Sequence, residues 1–326
     1  MQQKGNMKTI LITGGCGYLG SQLVRDFGLE QTESVTIRIL DNLRQDGRRA
    51  LMGLPQGPRY EFIEGDILDP SALAQALADV DTVIHLAAVV RTPLSFDNPA
   101  WLEQVNHWGT AHLIDACIAA GVRRFVYASS TAVYGPGGPF SEADTCRAQG
   151  HYAQSKLRAE AAVLSGRERG LETIILRLGL LYGLAPVTRF DAVANRLAYL
   201  AGVGRPLTVF GDGEQRRPFL HVRDASRALR LAVRGPGPDP QAAVINIAGD
   251  NVSVLTLVET LVSLRSETRV HFTEQDIRTH YSFEVYRGRA LEMGWTPQVA
   301  LDEGLEEIVG QFAGVQAPVA PTLEID

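Results

Sequence analysis

Cysteine is scarce in this chain. Among 326 residues there are three (Cys16, Cys117, Cys146), and no two form a Cys-x-x-Cys pair. That usage excludes a disulfide framework and a zinc ribbon. Long apolar runs are missing as well: none approaches the ~18 residues of a membrane span, and Met1 to Asn6 is polar where a secretory leader would be hydrophobic. A cytoplasmic protein with no membrane partner is expected. Surplus positive charge is also absent. With 37 acidic against 31 basic residues the net charge is -6, which argues against a nucleic-acid scaffold. No internal repeat is visible. The histidines at 85, 107, 151 and 221 have no ligand spacing, so no metal is expected.

What is present is a soluble α/β pattern. The hydrophobic content of 45% suits a globular core. Short apolar runs at 10–13, 36–40, 60–64, 82–86, 124–129 and 173–177 read as buried strands, separated by helical periods at 70–78, 101–120 and 152–169. Such alternation implies right-handed βαβ units and a parallel sheet covered on both faces. Ligands then sit beyond the carboxyl ends of the strands, where Gly14, Asp41, Asp66, Ala87 and Ser130 all fall. After Arg177 prolines interrupt the pattern, and Gly235 to Pro240 is rich in Gly and Pro. The run 244–247 is expected to return to the main sheet. The expected division is 7–177 plus 222–248 for the sheet domain, 178–221 plus 249–312 for a smaller lobe, and 313–326 for a tail.

The first strand runs into Gly14-Gly15-Cys16-Gly17-Tyr18-Leu19-Gly20. Gly14 permits a sharp turn, Gly17 lets backbone approach a pyrophosphate, and Gly20 allows close helix–strand packing. A helix from Ser21 to about Phe27 would aim its first amides at phosphate. The second strand ends in Asp41, placed to accept both ribose hydroxyls of an adenosine and to repel a 2′-phosphate. NAD is therefore expected over NADP, with Arg44 the one feature that argues otherwise. Further on, Ser129-Ser130-Thr131 precedes Tyr152 and Lys156. Four positions apart on a helix, Tyr152 and Lys156 share a face, and the ammonium is expected to draw the phenol below its usual pKa of ~10. A hydroxyl from the strand end, Ser130 with Ser129 and Thr131 as alternatives, would share the substrate's oxygen. That is equipment for moving a proton on and off an alcohol.

Together with Asp41-Asn42-Leu43, Gly65-Asp66-Ile67, His85-Leu86-Ala87-Ala88, Asn106-x-x-Gly109-Thr110, Gly211-Asp212-Gly213-x-Gln215-x-Arg217, His221-Val222-x-Asp224 and Gly294-Trp295-x-Pro297, these residues resemble the extended short-chain dehydrogenase/reductases. The likeness is to their NAD-dependent sugar-nucleotide epimerase/dehydratase branch and spans Ile10 to about Leu305. It implies a Rossmann-type doubly wound sheet with a smaller, non-contiguous substrate-binding lobe. It implies that Ser130, Tyr152 and Lys156 are catalytic, Lys156 also holding the nicotinamide ribose. Asp66 and Ile67 would contact adenine, and Ala87 and Ala88 would line the pyrophosphate and nicotinamide ribose. Tyr18, Leu19, Asn42 and Leu86 complete the expected cofactor contacts, and Asn106 would lie buried beneath the site. The helices at 101–120 and 152–169, with Gly109, Ala116, Ala120, Ala159 and Ala162, imply a homodimer.

Two departures from the family pattern bear on the reaction. In the dehydratase branch an Asp-Glu pair follows the serine or threonine, whereas Thr131 and Ala132 stand here. Neither can abstract a carbon-bound proton, so reversible oxidation at one alcohol carbon, as in 4-epimerases, is the expected chemistry. Leu180 occupies a position where the family usually has an Asn, with Arg189 or Asn195 the expected replacements for that contact. Arg217 matches the arginine that grips the diphosphate, and Thr131 is counted among the substrate contacts. The function expected is NAD-dependent epimerisation of a nucleotide sugar at C4. The alternative is an NAD(P)-dependent reductase or dehydrogenase of another small molecule.

Overall fold

The computed structural model describes residues 8–30, 35–90, 98–235, 243–274 and 281–315. Its centre is a seven-stranded sheet. In chain order the first elements are strand β1 (Lys8–Thr13), helix α1 (Tyr18–Leu29), β2 (Val35–Asp41), β3 (Arg59–Glu64), α2 (Pro70–Leu77), β4 (Thr82–His85) and helices α3 (Pro99–Glu103) and α4 (Gly109–Ala119). There follow β5 (Arg124–Ser130), β6 (Gly137–Phe140), α5 (Gly150–Glu168), β7 (Glu172–Leu178), β8 (Leu180–Tyr182), α6 (Val193–Gly202), β9 (Leu207–Phe210), β10 (Arg216–His221) and α7 (Val222–Arg234). The remainder are β11 (Val244–Ile247), β12 (Asn251–Ser253), α8 (Val254–Leu264), β13 (Val270–Thr273), β14 (Phe283–Val285), α9 (Gly288–Glu292) and α10 (Leu301–Gly310).

The large sheet has the order β11-β7-β5-β4-β1-β2-β3, and every neighbouring pair in it is parallel. Its strands are apolar on both faces, as β1 shows with Ile10, Leu11 and Ile12 all buried. Each face needs its own cover, and each has it. Leu23, Phe27, Leu229 and Trp295 pack over one side, and Leu73, Leu113, Ile114 and Val163 over the other. The chain moves outward to β3 from β1 and then crosses back to β4. Neighbours β1 and β4 therefore diverge at their carboxyl ends, which is the reversal of direction where open α/β sheets bind ligands.

A third core gathers Tyr182, Leu197, Val209, Phe219, Leu257 and Ile308. It draws on β8 to β10 and on α8 and α10, two pieces of chain separated by α7 and β11. A three-stranded sheet, β12-β10-β8, and a two-stranded one, β13-β9, lie in this part. As expected from its sequence, β11 rejoins the main sheet beside β7. The Gly-Pro stretch falls mostly outside the described residues, and so do residues 316–326 of the expected tail.

The helix expected over 101–120 is present, with its regular α period interrupted by one wider turn. Between α3 and α4 the backbone takes a π-helical turn, Gln104–Trp108. The Asn106 carbonyl accepts from the Thr110 hydroxyl at 2.7 Å. Its amide side chain holds both the N–H of Val89 (2.8 Å) and its C=O (3.0 Å). Such widened turns cluster at functional sites, and this one ties α4 to the segment that follows β4. Among the small residues of these helices, Gly109 lies under Ile67 and Leu68, and Ala159 is buried within the molecule.

Candidate active site

Gly14 has φ +71°, and a Cβ there would come within 2.6 Å of the Ala87 nitrogen. A Cβ on Gly20 would meet the Gly14 carbonyl oxygen at 2.2 Å. The β1–α1 turn therefore requires glycine at both places. α1 opens at Tyr18 with no side-chain cap, leaving its first amides directed at the crevice. At the end of β2, the Asp41 carboxylate accepts from the N–H of Cys16 (2.9 Å) and of Leu43 (2.9 Å). Its pKa is nonetheless raised, because burial outweighs these two bonds. Asn42 donates to Asp66 at 2.9 Å, and Arg44 stands over the Trp101 ring at 4.5 Å with Asp66 3.8 Å away. Ile67 is buried beside them, and Leu86, Ala87 and Ala88 are half-buried along the crevice. A glycine cradle, uncapped helix amides and a carboxylate at the second strand end fit a dinucleotide.

Of the expected cofactor and substrate contacts, the side chains of Tyr18, Asn195 and Thr131 are spent inside the protein. The Tyr18 hydroxyl turns away from the glycine turn and donates to the Gly183 carbonyl at 2.6 Å. Asn195, fully buried, spends its amide on the Gly183 N–H (2.9 Å), the Tyr18 oxygen (3.1 Å) and the Arg189 carbonyl (2.9 Å). It is a clamp on the chain after β8, with no polar atom left for a substrate. Thr131 is corrected in the same way: it is fully buried, and its hydroxyl donates to the Leu178 carbonyl at 3.2 Å. Arg189 itself lies in the turn before α6, not on the helix.

Tyr152 sits in the first turn of α5, and the Ser130 hydroxyl at the end of β5 faces its phenol. Lys156, one turn on, is buried. Its ammonium donates to the Ala128 carbonyl at 2.8 Å and lies 4.7 Å from the centre of the Tyr127 ring. Burial brings Lys156 down to about 7, opposed by the Glu160 carboxylate. The Tyr152 phenol is pushed up, not down as its spacing from Lys156 suggests: burial dominates, and the Arg189 cation and Ser130 pull the other way. The expectation assumed an ammonium aimed at the phenol, whereas here it is held by backbone.

Beneath the pair lies a layer that sequence spacing did not reveal. Glu160, four residues after Lys156, is buried and held by Arg177 through two bonds (3.0 and 2.7 Å) and by the Ser129 hydroxyl (2.5 Å). Ser129 is thereby removed from the alternatives to Ser130. On the other side a chain of bonds runs from Thr13 to His85 (2.7 Å), Thr110 (2.9 Å) and Asn106, and from Asn106 to Ser155 (3.2 Å) on α5. His85 is driven down to about 3 by burial and by Lys156, so it stays neutral. The signal for this strut was the Asn106-x-x-Gly109-Thr110 run. Arg217, on β10, is buried between the rings of Tyr281 and Phe283 (5.3 and 5.0 Å) and donates to the carbonyls of Arg216 and Tyr281.

A family model for the NAD dependent epimerase/dehydratase family matches residues 10–248, which span the glycine turn, Tyr152 and Lys156. The chain belongs to this family. Solved members share the whole architecture. MoeE5 in complex with UDP-glucuronic acid and NAD is 31% identical, with a TM-score of 0.81 over 93% of this chain and 98% of that one. UDP-glucuronic acid 4-epimerase from Bacillus cereus, with UDP-glucuronic acid and NAD, is 25% identical, with a TM-score of 0.84 over 94% and 99%. The dTDP-glucose 4,6-dehydratase DesIV from Streptomyces venezuelae, with NAD bound, is 26% identical, with a TM-score of 0.84 over 94% and 97%. The cofactor of the family is NAD, and both epimerases and dehydratases are near in structure. Among the described residues no helix is long and apolar enough to cross a membrane.

Proposed function

We propose that this protein is a nucleotide-sugar epimerase acting at C4, with Tyr152 as the proton acceptor and donor. The observation that carries this reading is the absence of a carboxylate beside Ser130. Thr131 is buried on a backbone carbonyl, Ala132 has no polar atom, and Glu160 is locked to Arg177 and Ser129. Eliminating water across C5 and C6 needs an acid and a base at those carbons. Exchanging one hydrogen at C4 needs neither.

NAD, when bound, supplies the hydride acceptor and donor at the sugar carbon. Gly14, Gly17, Gly20 and the first amides of α1 would hold its pyrophosphate, Asp41 its adenine ribose, and Asp66 with Ile67 its adenine. Tyr152 takes the C4 hydroxyl proton, and Ser130 shares the oxygen as charge moves between them. Arg189 and Ser130 offset the raised phenol pKa, so that the phenolate is reached at lower cost. The 4-keto sugar then presents its other face before Tyr152 returns the proton. Arg217, whose pKa burial holds below the ordinary guanidinium value, is assigned to the diphosphate. The family's NAD-bound structures with UDP-sugars support a UDP-linked substrate. Exposed Trp108 and Leu164, beside α4 and on α5, support a homodimer through these helices, and the composition supports a cytoplasmic location.

The reading is tested by turnover without added cofactor. Purified protein should carry NAD and interconvert a UDP-hexose and its C4 epimer with no NAD in the buffer. A requirement for stoichiometric NAD, with NADH released, would favour a dehydrogenase instead.

A further inference from the structure

Two strands and one helix meet directly beneath the proton-transfer pair. Ser129 and Arg177 are register partners on the neighbouring strands β5 and β7, so their side chains stand on the same face of the sheet. α5 packs on that face through Ala159 and Val163, against Phe125, Tyr127 and Ile175. Tyr152, Lys156 and Glu160 recur at every fourth position of α5, along one stripe of the helix. Glu160 comes down on both strands at once. One of its carboxylate oxygens accepts from the Ser129 hydroxyl (2.5 Å) and from Arg177 Nε (3.0 Å), and the other from Arg177 Nη2 (2.7 Å). One turn earlier, Lys156 Nζ donates to the Ala128 carbonyl (2.8 Å). α5 is thereby tied to β5 at two successive residues, immediately before Ser130.

Burying an ion pair adds little stability, because desolvation offsets the attraction. What a buried, hydrogen-bonded pair does impose is distance and direction. Ser130 itself is the last residue of β5, and its oxygen accepts from the Ala132 N–H at 3.2 Å. Thr131 is fastened to β7 through the Leu178 carbonyl (3.2 Å). The place of the Ser130 hydroxyl relative to the Tyr152 phenol is therefore set by how β5 and α5 are joined. Lys156 joins them through a flexible stem of four carbons. Glu160 joins them through three hydrogen bonds to two strands, and it is 3% exposed.

We propose that Glu160 is a positioning residue for the proton transfer: by clasping Ser129 and Arg177 from α5, it fixes the end of β5 so that the Ser130 hydroxyl stays in register with the Tyr152 phenol. Ser129 and Arg177 are its two holds. The inference rests on Tyr152 as the proton carrier and is indifferent to which sugar is bound.

Ser129→Ala removes one of the three bonds and leaves the buried charge pair intact. With a nucleotide sugar that the wild type turns over, kcat should fall roughly ten- to a hundredfold, as for a catalytic group held out of place. KM, NAD content and Tm should stay close to wild type, and Ser129→Thr should recover part of the loss. Glu160→Gln should show the same split between kcat and KM. The double variant should be little slower than Glu160→Gln alone, because both changes act through one bond. Wild-type kcat in Ser129→Ala would overturn the proposal, and so would a loss confined to KM or Tm, or losses that multiply in the double variant. If Glu160→Gln does not fold, the Ser129 pair of variants decides. If no nucleotide sugar is turned over, the epimerase reading fails separately, and crystal structures of wild type and Ser129→Ala with NAD decide this one. A Ser130 hydroxyl displaced from Tyr152 in the variant supports it, and an unmoved pair overturns it.

Discussion

At Tyr152 two opposing influences meet. Burial raises the phenol pKa, and the Arg189 cation, seven residues beyond β8, with the facing serine, lowers it. Replacing Tyr152 by Phe removes the proton acceptor and keeps the ring's packing. Turnover should fall roughly 10²–10⁴-fold, as for a lost general base, with NAD still bound to the purified protein. Undiminished turnover would place the proton transfer elsewhere. Lys156 makes a second prediction at this scale. Burial holds it at about 7 against an ordinary 10.5. Between those values the unfolded chain binds the proton that the folded one has released, so stability rises with pH across this window. The penalty is full below pH 7 and has faded by about pH 10. In cofactor-stripped protein, Lys156→Met should therefore stabilise by roughly 2–5 kcal/mol near pH 6 and by little near pH 10. Urea melts at both pH values check the sign, and an equal gain at each would show that Lys156 is not desolvated.

The β1–α1 unit is the element that sequence described most fully. Glycines at 14 and 20 are dictated by approach distances that only a missing Cβ permits, and such requirements are written one residue at a time. Gly20→Ala should press a methyl against the Gly14 carbonyl (2.2 Å for an ideal Cβ) and disrupt the turn. Loss of NAD from the purified protein is expected, with a destabilisation of about 1–3 kcal/mol from the overpacked contact. Retention of NAD at wild-type affinity would contradict the cradle. The strands were legible for a similar reason, since a parallel sheet buried on both faces leaves unbroken apolar runs. The π-helical turn at 104–108 was not, because its cause is a tertiary bond from Asn106 to Val89 that no local periodicity encodes. Thr131 and Asn195 were misread alike: both have the chemistry of a substrate contact, but their partners, Leu178 and Gly183, come from other strands and turns.

Over the whole molecule, the sheet reversal between β1 and β4 brings the glycine turn, Asp41, Asp66 and the Ser130–Tyr152 pair to one edge. The sequence order of strands and helices was sufficient to expect that edge. In the layer beneath it, Asn106 and Thr110 were legible from their run, whereas the Glu160–Arg177 pair and the links to Thr13 and Ser155 join residues far apart in sequence with no recurrent spacing. That layer also bears on the reaction, since it holds the nearest carboxylate in place and away from acid–base work on the sugar. The central claim is that hydrogen leaves and returns at one carbon, C4. It is tested most directly with a UDP-sugar deuterated at C4, followed by ¹H and ²H NMR. The account predicts the C4 epimer with deuterium still at C4 and none lost to water. A 4-keto-6-deoxy product with deuterium moved to C6, or deuterium released on free reduced cofactor, would contradict it.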